Sequence, residues 1–141
     1  MDTNLRNENK TKYSDLAGKT ILITGSTGLI GSNLIKTLLN QQRNLIKPVR
    51  IIAFARDEEK AKKIFGTDYD KIQWFIGDIE TPIMLRENVN YIVHAASQTS
   101  SKAFVDRPVE TIKTAIAGTV NMLQLAKDKK VEKFLYLSTM E

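Results

Sequence analysis

The sequence predicts an α/β fold in which a parallel β-sheet is covered by helices on both faces. Five short apolar runs with the composition of strands alternate with helix-like segments along the 141 residues. The runs are largely apolar at consecutive positions, which is typical of strands that are buried on both faces. A chain of this length is sufficient for one domain with a substantial core and too short for two.

The elements can be assigned in order along the chain. Strands are predicted over residues 19–25, 49–55, 71–78, 90–97 and 133–139. Helices are predicted over residues 28–40, 57–65 and 108–129. For the last helix we expect Asp106 to be the N-cap and Pro108 to lie in the first turn. Residues 1–17 contain few apolar side chains and are predicted to be a flexible leader, so the folded domain is expected to comprise residues 18–141.

Composition and charge argue against several classes of protein, namely nucleic-acid-binding, metal-binding, membrane-spanning and secreted proteins. The net charge of +5 comes from lysines mixed with acidic residues in segments such as RDEEKAKK and KDKKVEK, which predicts solvated helix faces rather than a nucleic-acid surface. The chain contains no cysteine and one histidine, which argues against disulfides and metal sites. No apolar run approaches the roughly 20 residues needed to span a bilayer, and the N-terminus lacks the apolar core of a signal peptide. We therefore expect a soluble, cytoplasmic protein without a metal.

The strongest local signal is the segment TGSTGLIG at residues 24–31, between the first predicted strand and the first predicted helix. Its glycines, Gly25, Gly28 and Gly31, are three residues apart. In this context the first permits a tight turn, the second lets the backbone approach a diphosphate, and the third allows close packing of the helix on the sheet. The helix N-terminus would then offer N–H groups to a pyrophosphate. The alternative is a purely structural strand-to-helix turn.

Four motifs follow the predicted strands in a fixed order. TGSTGLIG follows the first strand, GDI (77–79) the third, HAAS (94–97) the fourth and LST (137–139) the fifth. From Lys19 onward, this series resembles the extended short-chain dehydrogenase/reductase superfamily, specifically the NAD(P)-dependent nucleotide-sugar epimerases and dehydratases. The resemblance implies a Rossmann-type doubly wound sheet with strand order 3-2-1-4-5, and NAD or NADP as cofactor.

The resemblance also implies which residues bind the cofactor. The diphosphate loop would comprise Gly25, Thr27, Gly28, Leu29, Ile30 and Gly31. Asp78 and Ile79 would flank the adenine, with the carboxylate accepting a hydrogen bond from the adenine amino group, although Asp78 could instead cap the following turn. Ala95, Ala96 and Ser97 would line the ribose and nicotinamide. His94 is interpreted as a packed residue at a strand end rather than as a catalytic base.

The catalytic residues implied by the resemblance are Thr139 and Glu141. Thr139 would hydrogen-bond the hydroxyl or keto oxygen of a sugar, unless it is an ordinary strand residue, and Glu141 matches an acid of dehydratase-like members. The family's catalytic Tyr-x-x-x-Lys pair is expected beyond the fifth strand, and none of the four tyrosines here has a lysine four residues later. Ala115 also stands where family members often have an asparagine. We therefore expect this chain to be inactive by itself.

Discrimination between NAD and NADP is expected at the end of the second strand. An acidic residue there binds the ribose 2′-OH of NAD, whereas a nearby arginine suits the 2′-phosphate of NADP. The sequence has Ala55 where the acid would be expected, followed by Arg56, whose guanidinium can pair with a phosphate in bidentate fashion. This pattern favours NADP slightly. Asp57 weakens the preference because it could pair with Arg56 or turn toward the ribose.

The long helix carries more apolar surface than one sheet needs to cover. Its apolar and small residues extend well beyond a single stripe, which indicates a second buried surface. Together with the resemblance, this predicts a homodimer formed through the helix at 108–129, with Gly118, Met122 and Leu125 in the interface. The alternative is that the leader or a further C-terminal part covers the excess.

These observations predict the N-terminal, cofactor-binding part of a nucleotide-sugar epimerase, dehydratase or reductase, acting by hydride transfer at a sugar carbon. Such enzymes serve nucleotide-sugar metabolism, including polysaccharide biosynthesis. The alternative is a non-catalytic NAD(P)-binding module that senses the cofactor or scaffolds a partner. The sugar and the choice among the three reactions remain open at this stage.

Overall fold

The computed structural model describes residues 13–97 and 101–138 of the chain. Its centre is a five-stranded sheet in which all four strand pairings are parallel. The strands are β1 (Thr20–Thr24), β2 (Arg50–Ala55), β3 (Gln73–Ile76), β4 (Tyr91–His94) and β5 (Lys133–Tyr136). Their order across the sheet is β3-β2-β1-β4-β5. The strand order implied by the family resemblance is thus confirmed.

All three predicted helices are present, and a further short one precedes the last. The helices are α1 (Leu29–Gln41), α2 (Glu58–Phe65), α3 (Ser101–Asp106) and α4 (Pro108–Lys129), with 3₁₀ helices at Gln42–Asn44 and Gly66–Lys71. The prediction of Asp106 as the N-cap of α4 is wrong, because this residue ends α3 and the N-cap is Arg107. A residue before proline is kept out of the helical conformation, so the chain breaks at Arg107 and α4 begins directly at Pro108.

Side chains of neighbouring residues in β1 and β2 alternate between two cores. On one face, Ile21 and Ile51 pack with residues of α1, α2 and the loops beside them, including Ile35, Leu38 and Phe65. On the other face, Leu22 and Ile52 pack with the segment after β3 and with Met122 and Leu125 of α4. Because β1 and β2 are buried on both sides, they are apolar at consecutive positions between or after the polar residues at their ends, Thr20, Thr24 and Arg50.

Helix α4 has two apolar faces. Gly118, Met122 and Leu125 are buried, and a Cβ at Gly118 would lie 2.8 Å from the Cγ2 atom of Ile79. The prediction that these three residues form a dimer interface is therefore wrong, since they pack on the sheet side. The apolar residues that remain exposed recur three or four positions apart, and we call them the outer stripe: Val109, Ile112, Ile116, Val120 and Leu123.

The amino ends of three strands meet at Glu132, which precedes β5. Its carboxylate accepts hydrogen bonds from Lys19 Nζ at 2.6 Å, Asn90 Nδ2 at 2.8 Å and the Tyr91 hydroxyl at 3.0 Å. The hydrogen bond from Lys19 is the main reason that the pKa of Glu132 is lowered. This network joins β5 to β1 and β4 at the edge of the sheet opposite to the glycine-rich loop.

Candidate functional site

The loop after β1 passes very close to the loop after β4. Gly25 has φ +67°, and a Cβ on it would lie 2.5 Å from the carbonyl oxygen of Ala95 and 2.7 Å from the amide nitrogen of Ala96. Glycine is required here on two counts, because other residues disfavour this φ and because backbone atoms occupy the space of a side chain. The tight turn expected at Gly25 is present.

Gly31 lies in the first turn of α1 and faces the turn that precedes the helix. A Cβ at this position would collide with the carbonyl oxygen of Gly25 and would lie 3.1 Å from the Cα of Ser26. The close approach predicted for Gly31 is therefore made to the loop itself rather than to the sheet. Ser26 is buried at this contact, and its hydroxyl donates to the Ile23 carbonyl oxygen at 2.7 Å.

Gly28 differs from the other two glycines because its side-chain direction is nearly open. Its backbone is extended, with φ −81° and ψ 172°. The residue is exposed, and a Cβ would meet only the Gly25 carbonyl oxygen, at 3.2 Å. The fold therefore demands glycine less strictly here than at Gly25, since only one oxygen would have to yield by a few tenths of an ångström. A ligand that approaches the backbone closely would demand it.

The N-terminus of α1 next to Gly28 is free to receive an anion. No side chain caps it, and its first turn contains no acidic residue. The first N–H groups of a helix have no acceptor within the helix, and the helix dipole places partial positive charge there. Thr27 is half-buried, whereas Leu29 and Ile30 are 82% and 60% exposed at this position. Two large apolar side chains therefore flank the open N-terminus.

The end of β2 places Arg56 and Asp57 in different roles. Ala55 is buried, and Arg56 is exposed immediately after it. Asp57 is the N-cap of α2, and its carboxylate accepts a hydrogen bond from the Lys60 amide at 2.9 Å. Within residues 13–97 and 101–138, Arg56 makes no ion pair with Asp57 or with another side chain. Asp57 is thus engaged by the helix, and the guanidinium of Arg56 is available.

The segment after β3 uses Asp78 and Ile79 structurally. Asp78 Oδ1 accepts a hydrogen bond from the Glu80 amide at 3.0 Å, as in the turn-capping alternative. Ile79 is buried against Gly118 of α4, so only its backbone is left for the adenine contact that the resemblance implies. Asn121 of α4, which we did not single out from the sequence, donates from its amide to the carbonyl oxygens of Ile79 and Glu80, both at 2.8 Å. The sequence does carry one indication of this contact, because the Asn121 amide lies between two apolar residues of the helix, Val120 and Met122.

The end of β4 is fixed by two polar side chains. His94 is 2% exposed, and its Nδ1 lies 2.7 Å from the hydroxyl of Thr24 at the end of β1. The same hydroxyl accepts a hydrogen bond from the Ala96 amide at 3.1 Å. Burial lowers the pKa of His94, which favours a neutral imidazole. Ala95 and Ala96 are half-buried and Ser97 is exposed, so small side chains line this end of the site.

The catalytic candidates Thr139 and Glu141 lie outside the described residues. The segment that leads to them passes next to β4, because the Leu137 amide donates to the His94 carbonyl oxygen at 3.1 Å. Within the described part of the chain, no group of three or more His, Cys, Asp or Glu side chains could hold a metal ion. In the same part, no helix is both long enough and apolar enough to cross a membrane.

Comparison with known proteins identifies the family. Residues 21–141 match the NAD-dependent epimerase/dehydratase family. The chain belongs to this family. It is 36% identical over 126 residues to a UDP-glucose 4-epimerase of Rickettsia rickettsii, and 36% identical over 124 residues to an uncharacterised membrane protein of Methanocaldococcus jannaschii. Each alignment covers 86% of this chain and 36% of the relative, so the chain spans about a third of the length of these relatives.

A solved structure of similar fold is that of Pen from Bacillus thuringiensis. It superposes with a TM-score of 0.74 at 30% sequence identity, over 86% of this chain and 37% of that protein. The similarity therefore extends over most of this chain and over about a third of that protein.

The residues present fit the dinucleotide that the family uses. The open backbone at Gly28 and the uncapped start of α1 would receive the diphosphate. This position lies where β1 is flanked by β2 on one side and β4 on the other, which is the topological switch point of a doubly wound sheet. The small residues after β4, Ala95, Ala96 and Ser97, would leave room beside it for the nicotinamide half.

Proposed function

We propose that this chain is the NAD(P)-binding part of a nucleotide-sugar epimerase or dehydratase that acts by hydride transfer at a sugar carbon. The observation that carries the proposal is the position of Gly28, an exposed glycine whose side-chain direction meets a single backbone oxygen, next to an uncapped helix N-terminus at the switch point of the sheet. The epimerase named among the relatives acts on UDP-glucose, which supports a nucleotide sugar as the substrate class.

The residues of the chain would bind and orient the cofactor. When bound, a nicotinamide can take up and return a hydride at a sugar carbon. The N–H groups at the start of α1 would neutralise the diphosphate, and Leu29 and Ile30 would cover it from solvent. Ala95, Ala96 and Ser97 would set the space for the ribose and nicotinamide, with Asp78 at the adenine. Thr139 would reach the sugar oxygen, and Glu141 would act as an acid in a dehydratase.

Removal of the proton from the sugar hydroxyl would require a base that is not among the groups named so far. None of the four tyrosines is followed four residues later by a lysine. Burial raises the pKa of Tyr69 and Tyr91 above the ordinary value, which makes both poor bases at neutral pH. We therefore propose that this chain alone binds the cofactor without turning over a sugar. The absence of cysteine is compatible with a reducing, cytoplasmic location.

Titration calorimetry with NAD⁺, NADH, NADP⁺ and NADPH tests the proposal. We expect saturable binding of one equivalent of cofactor and no conversion of UDP-glucose by the chain alone. A failure of all four nucleotides to bind would contradict the proposed function. A second outcome would favour the alternative of a cofactor sensor or scaffold. In that outcome the protein binds the cofactor, but a sugar does not change the spectrum of NADH even when the protein is joined to its full catalytic part.

We propose a preference for NADP at the same site, carried by Arg56. Its exposed guanidinium has no ion-pair partner among the described residues, and Asp57 is engaged as the N-cap of α2. An Arg56→Ala variant is expected to bind NADPH about tenfold more weakly, because a charge-assisted bidentate contact is lost. Its affinity for NADH should change by less than about twofold.

An Arg56→Lys variant is the matched control for the charge at this position. Lysine keeps the positive charge but cannot form the bidentate contact, so NADPH affinity should fall between those of the wild type and Arg56→Ala. Calorimetric titration of both nucleotides into all three proteins gives the ratios. Tighter binding of NADH than of NADPH by the wild type would overturn the preference.

We also propose that the outer stripe of α4 forms a homodimer with a second copy of the chain. The stripe extends from Val109 to Leu123, and its central residue, Ile116, is 60% exposed. It lies on the side of the helix opposite to the residues that pack on the sheet. An apolar face of this extent on a regular helix is suited to packing against the same face of a partner helix.

An Ile116→Asp variant should disrupt this association, because it would bury a carboxylate at the centre of the interface. We expect the dissociation constant of the dimer to rise at least about a hundredfold in sedimentation equilibrium. The matched control is Ile46→Asp, since Ile46 is 99% exposed outside α4 and its replacement should leave association unchanged. A wild-type protein that stays monomeric at all concentrations would contradict the dimer.

A further inference from the structure

A continuous row of hydrogen bonds runs from the loop after β4 to helix α4 through His94. At one end, the Ala96 amide donates to the Thr24 hydroxyl, which lies 2.7 Å from His94 Nδ1. At the other end, His94 Nε2 lies 3.3 Å from the hydroxyl of Thr119 in α4. The Thr119 hydroxyl in turn donates to the Ala115 carbonyl oxygen at 2.8 Å. The row therefore connects the backbone of the proposed nicotinamide side to the long helix.

The donors and acceptors of this row favour one tautomer of the imidazole. The Thr119 hydroxyl is placed to donate its single proton to the Ala115 carbonyl, and in that arrangement it accepts from His94, whose ring proton is then on Nε2. His94 Nδ1 is then an acceptor, and Thr24 donates its hydroxyl proton to it. The Thr24 oxygen keeps a lone pair for the Ala96 amide. Every polar atom of the row is satisfied in this arrangement.

We propose that His94 is a positioning residue for the cofactor, which in its Nε2–H tautomer holds Thr24 so that the hydroxyl orients the Ala96 amide and the small-residue segment Ala95–Ser97. This inference rests on the proposed NAD(P)-binding function and adds a residue that controls the conformation of the same site. Thr119 fixes the tautomer from α4. The backbone of the segment already contacts the glycine-rich loop, because Gly25 approaches Ala95 and Ala96.

The arrangement makes cofactor affinity sensitive to acid. Protonation of His94 puts a hydrogen on Nδ1, which can no longer accept from Thr24, so the Thr24 hydroxyl must turn and the Ala96 contact is lost. The groups around the ring are Thr24 from β1, Thr119 from α4, and Phe134 and Tyr136 from β5, whose ring centroids lie 6.3 and 5.6 Å from it. Tyr136 is the titratable side chain among them, and no carboxylate or ammonium group is among these contacts.

The sign of the pH effect follows from burial. Burial lowers the pKa of His94 below its ordinary value of 6.5, so the neutral ring is retained at pH 7. The folded protein then binds fewer protons than the unfolded chain in the window below about pH 6.5. Stability and cofactor affinity are both fully present above that pH and decline as the pH falls through the lowered pKa. The loss of stability therefore begins near pH 6.5, where the unfolded chain takes up a proton, and the loss of cofactor affinity begins at a lower pH, at which the folded protein takes one up.

Nitrogen NMR on the unmodified chain gives the most direct test of the tautomer. His94 is the only histidine of the 141 residues, so an untagged protein labelled with ¹⁵N-histidine yields one pair of ring-nitrogen signals. We expect a neutral ring protonated at Nε2 at pH 7. A ring protonated at Nδ1, or one that carries both protons at pH 7, would overturn the proposal without any need for a variant.

Two substitutions test the effect on binding. His94→Phe keeps the ring volume and removes the acceptor, so the affinity for NADPH or NADH should fall about tenfold. His94→Asn offers a side-chain oxygen at the position of Nδ1, so it should bind within about threefold of the wild type at pH 7. The decisive readout is the pH profile between about pH 5 and 8, which should lose its acid-side decline in His94→Asn because no titrating group remains there.

The outcomes distinguish the proposed cofactor binding from the proposed positioning role of His94. If the wild type binds none of the nucleotides, the proposed function fails and the positioning role fails with it. If the wild type binds but His94→Phe matches it in affinity and in pH profile, the positioning role alone is overturned. Should His94→Phe fail to fold, as judged from Trp74 fluorescence, a normal acid-side decline in His94→Asn overturns the role, and a flat profile supports it.

Discussion

Replacement of Gly25 by alanine is expected to cost the domain about 2–5 kcal/mol of its free energy of unfolding. Part of the cost, about 1–2 kcal/mol, comes from placing a Cβ on a residue with positive φ. The remainder comes from overlap of the new methyl group with the Ala95 carbonyl and the Ala96 amide, at distances of 2.5 and 2.7 Å. These are backbone atoms of a neighbouring loop, so they cannot move aside without displacing that loop and the end of β4.

Urea denaturation followed by the fluorescence of Trp74, the only tryptophan, measures this effect. Trp74 is a suitable reporter because it packs against Phe65 and Tyr69, with ring centroids 5.2 and 5.1 Å apart, at a distance from the loop in the sequence. The matched control is Gly66→Ala. Gly66 also has positive φ, +51°, but a Cβ on it would have no neighbour within 4 Å. An equal loss of stability in the two variants would show that the loop contact contributes nothing.

Replacement of Gly28 by alanine should leave the free energy of unfolding almost unchanged and should weaken the binding of the cofactor. Its φ of −81° is compatible with alanine, and the new Cβ would meet only one oxygen at 3.2 Å, so stability should change by less than about 1 kcal/mol. The affinity for NADH and NADPH should nevertheless fall about a hundredfold, because the methyl group would stand between the backbone and the diphosphate. Calorimetric titration alongside urea denaturation separates these two effects.

The control for this prediction is the cofactor affinity of Gly66→Ala. Gly66→Ala lies far from the loop in the sequence and should leave cofactor affinity unchanged, within about twofold. If Gly28→Ala binds both nucleotides as well as the wild type does, the exposed side of Gly28 does not face a diphosphate. The loop would then be a structural strand-to-helix turn, which is the alternative that the sequence left open.

Most of the fold could be predicted from the sequence because the signals are local and agree with each other. The central strands β1 and β2 are apolar at consecutive positions, since they are buried on both faces, and α4 begins at Pro108 as expected from its helical periodicity and proline. The glycine spacing predicted the loop after β1. These features depend on each segment's own residues, so periodicity and turn chemistry suffice to find them.

Most of the errors and omissions concern contacts between distant segments. Nothing local to Thr24 indicates that it will meet His94, 70 residues away, or that Asn121 will reach the carbonyl of Ile79. The two apolar faces of α4 could be counted from the sequence, but deciding which of them packs on the sheet required the position of Ile79 against Gly118. The N-cap of α4 was mistaken because the short helix α3 has too few turns to show a period.

The central claim is that a nicotinamide dinucleotide binds at the glycine-rich loop, and an amide NMR titration tests it most directly. With ¹⁵N-labelled protein and NADPH or NADH, we expect the largest shifts at the amides of residues 25–31 and 95–97, with smaller ones at Arg56 and Asp78. The amides next to Gly66 should stay unchanged and serve as an internal control. Shifts confined to the outer stripe of α4, or no shifts with either nucleotide, would contradict the account.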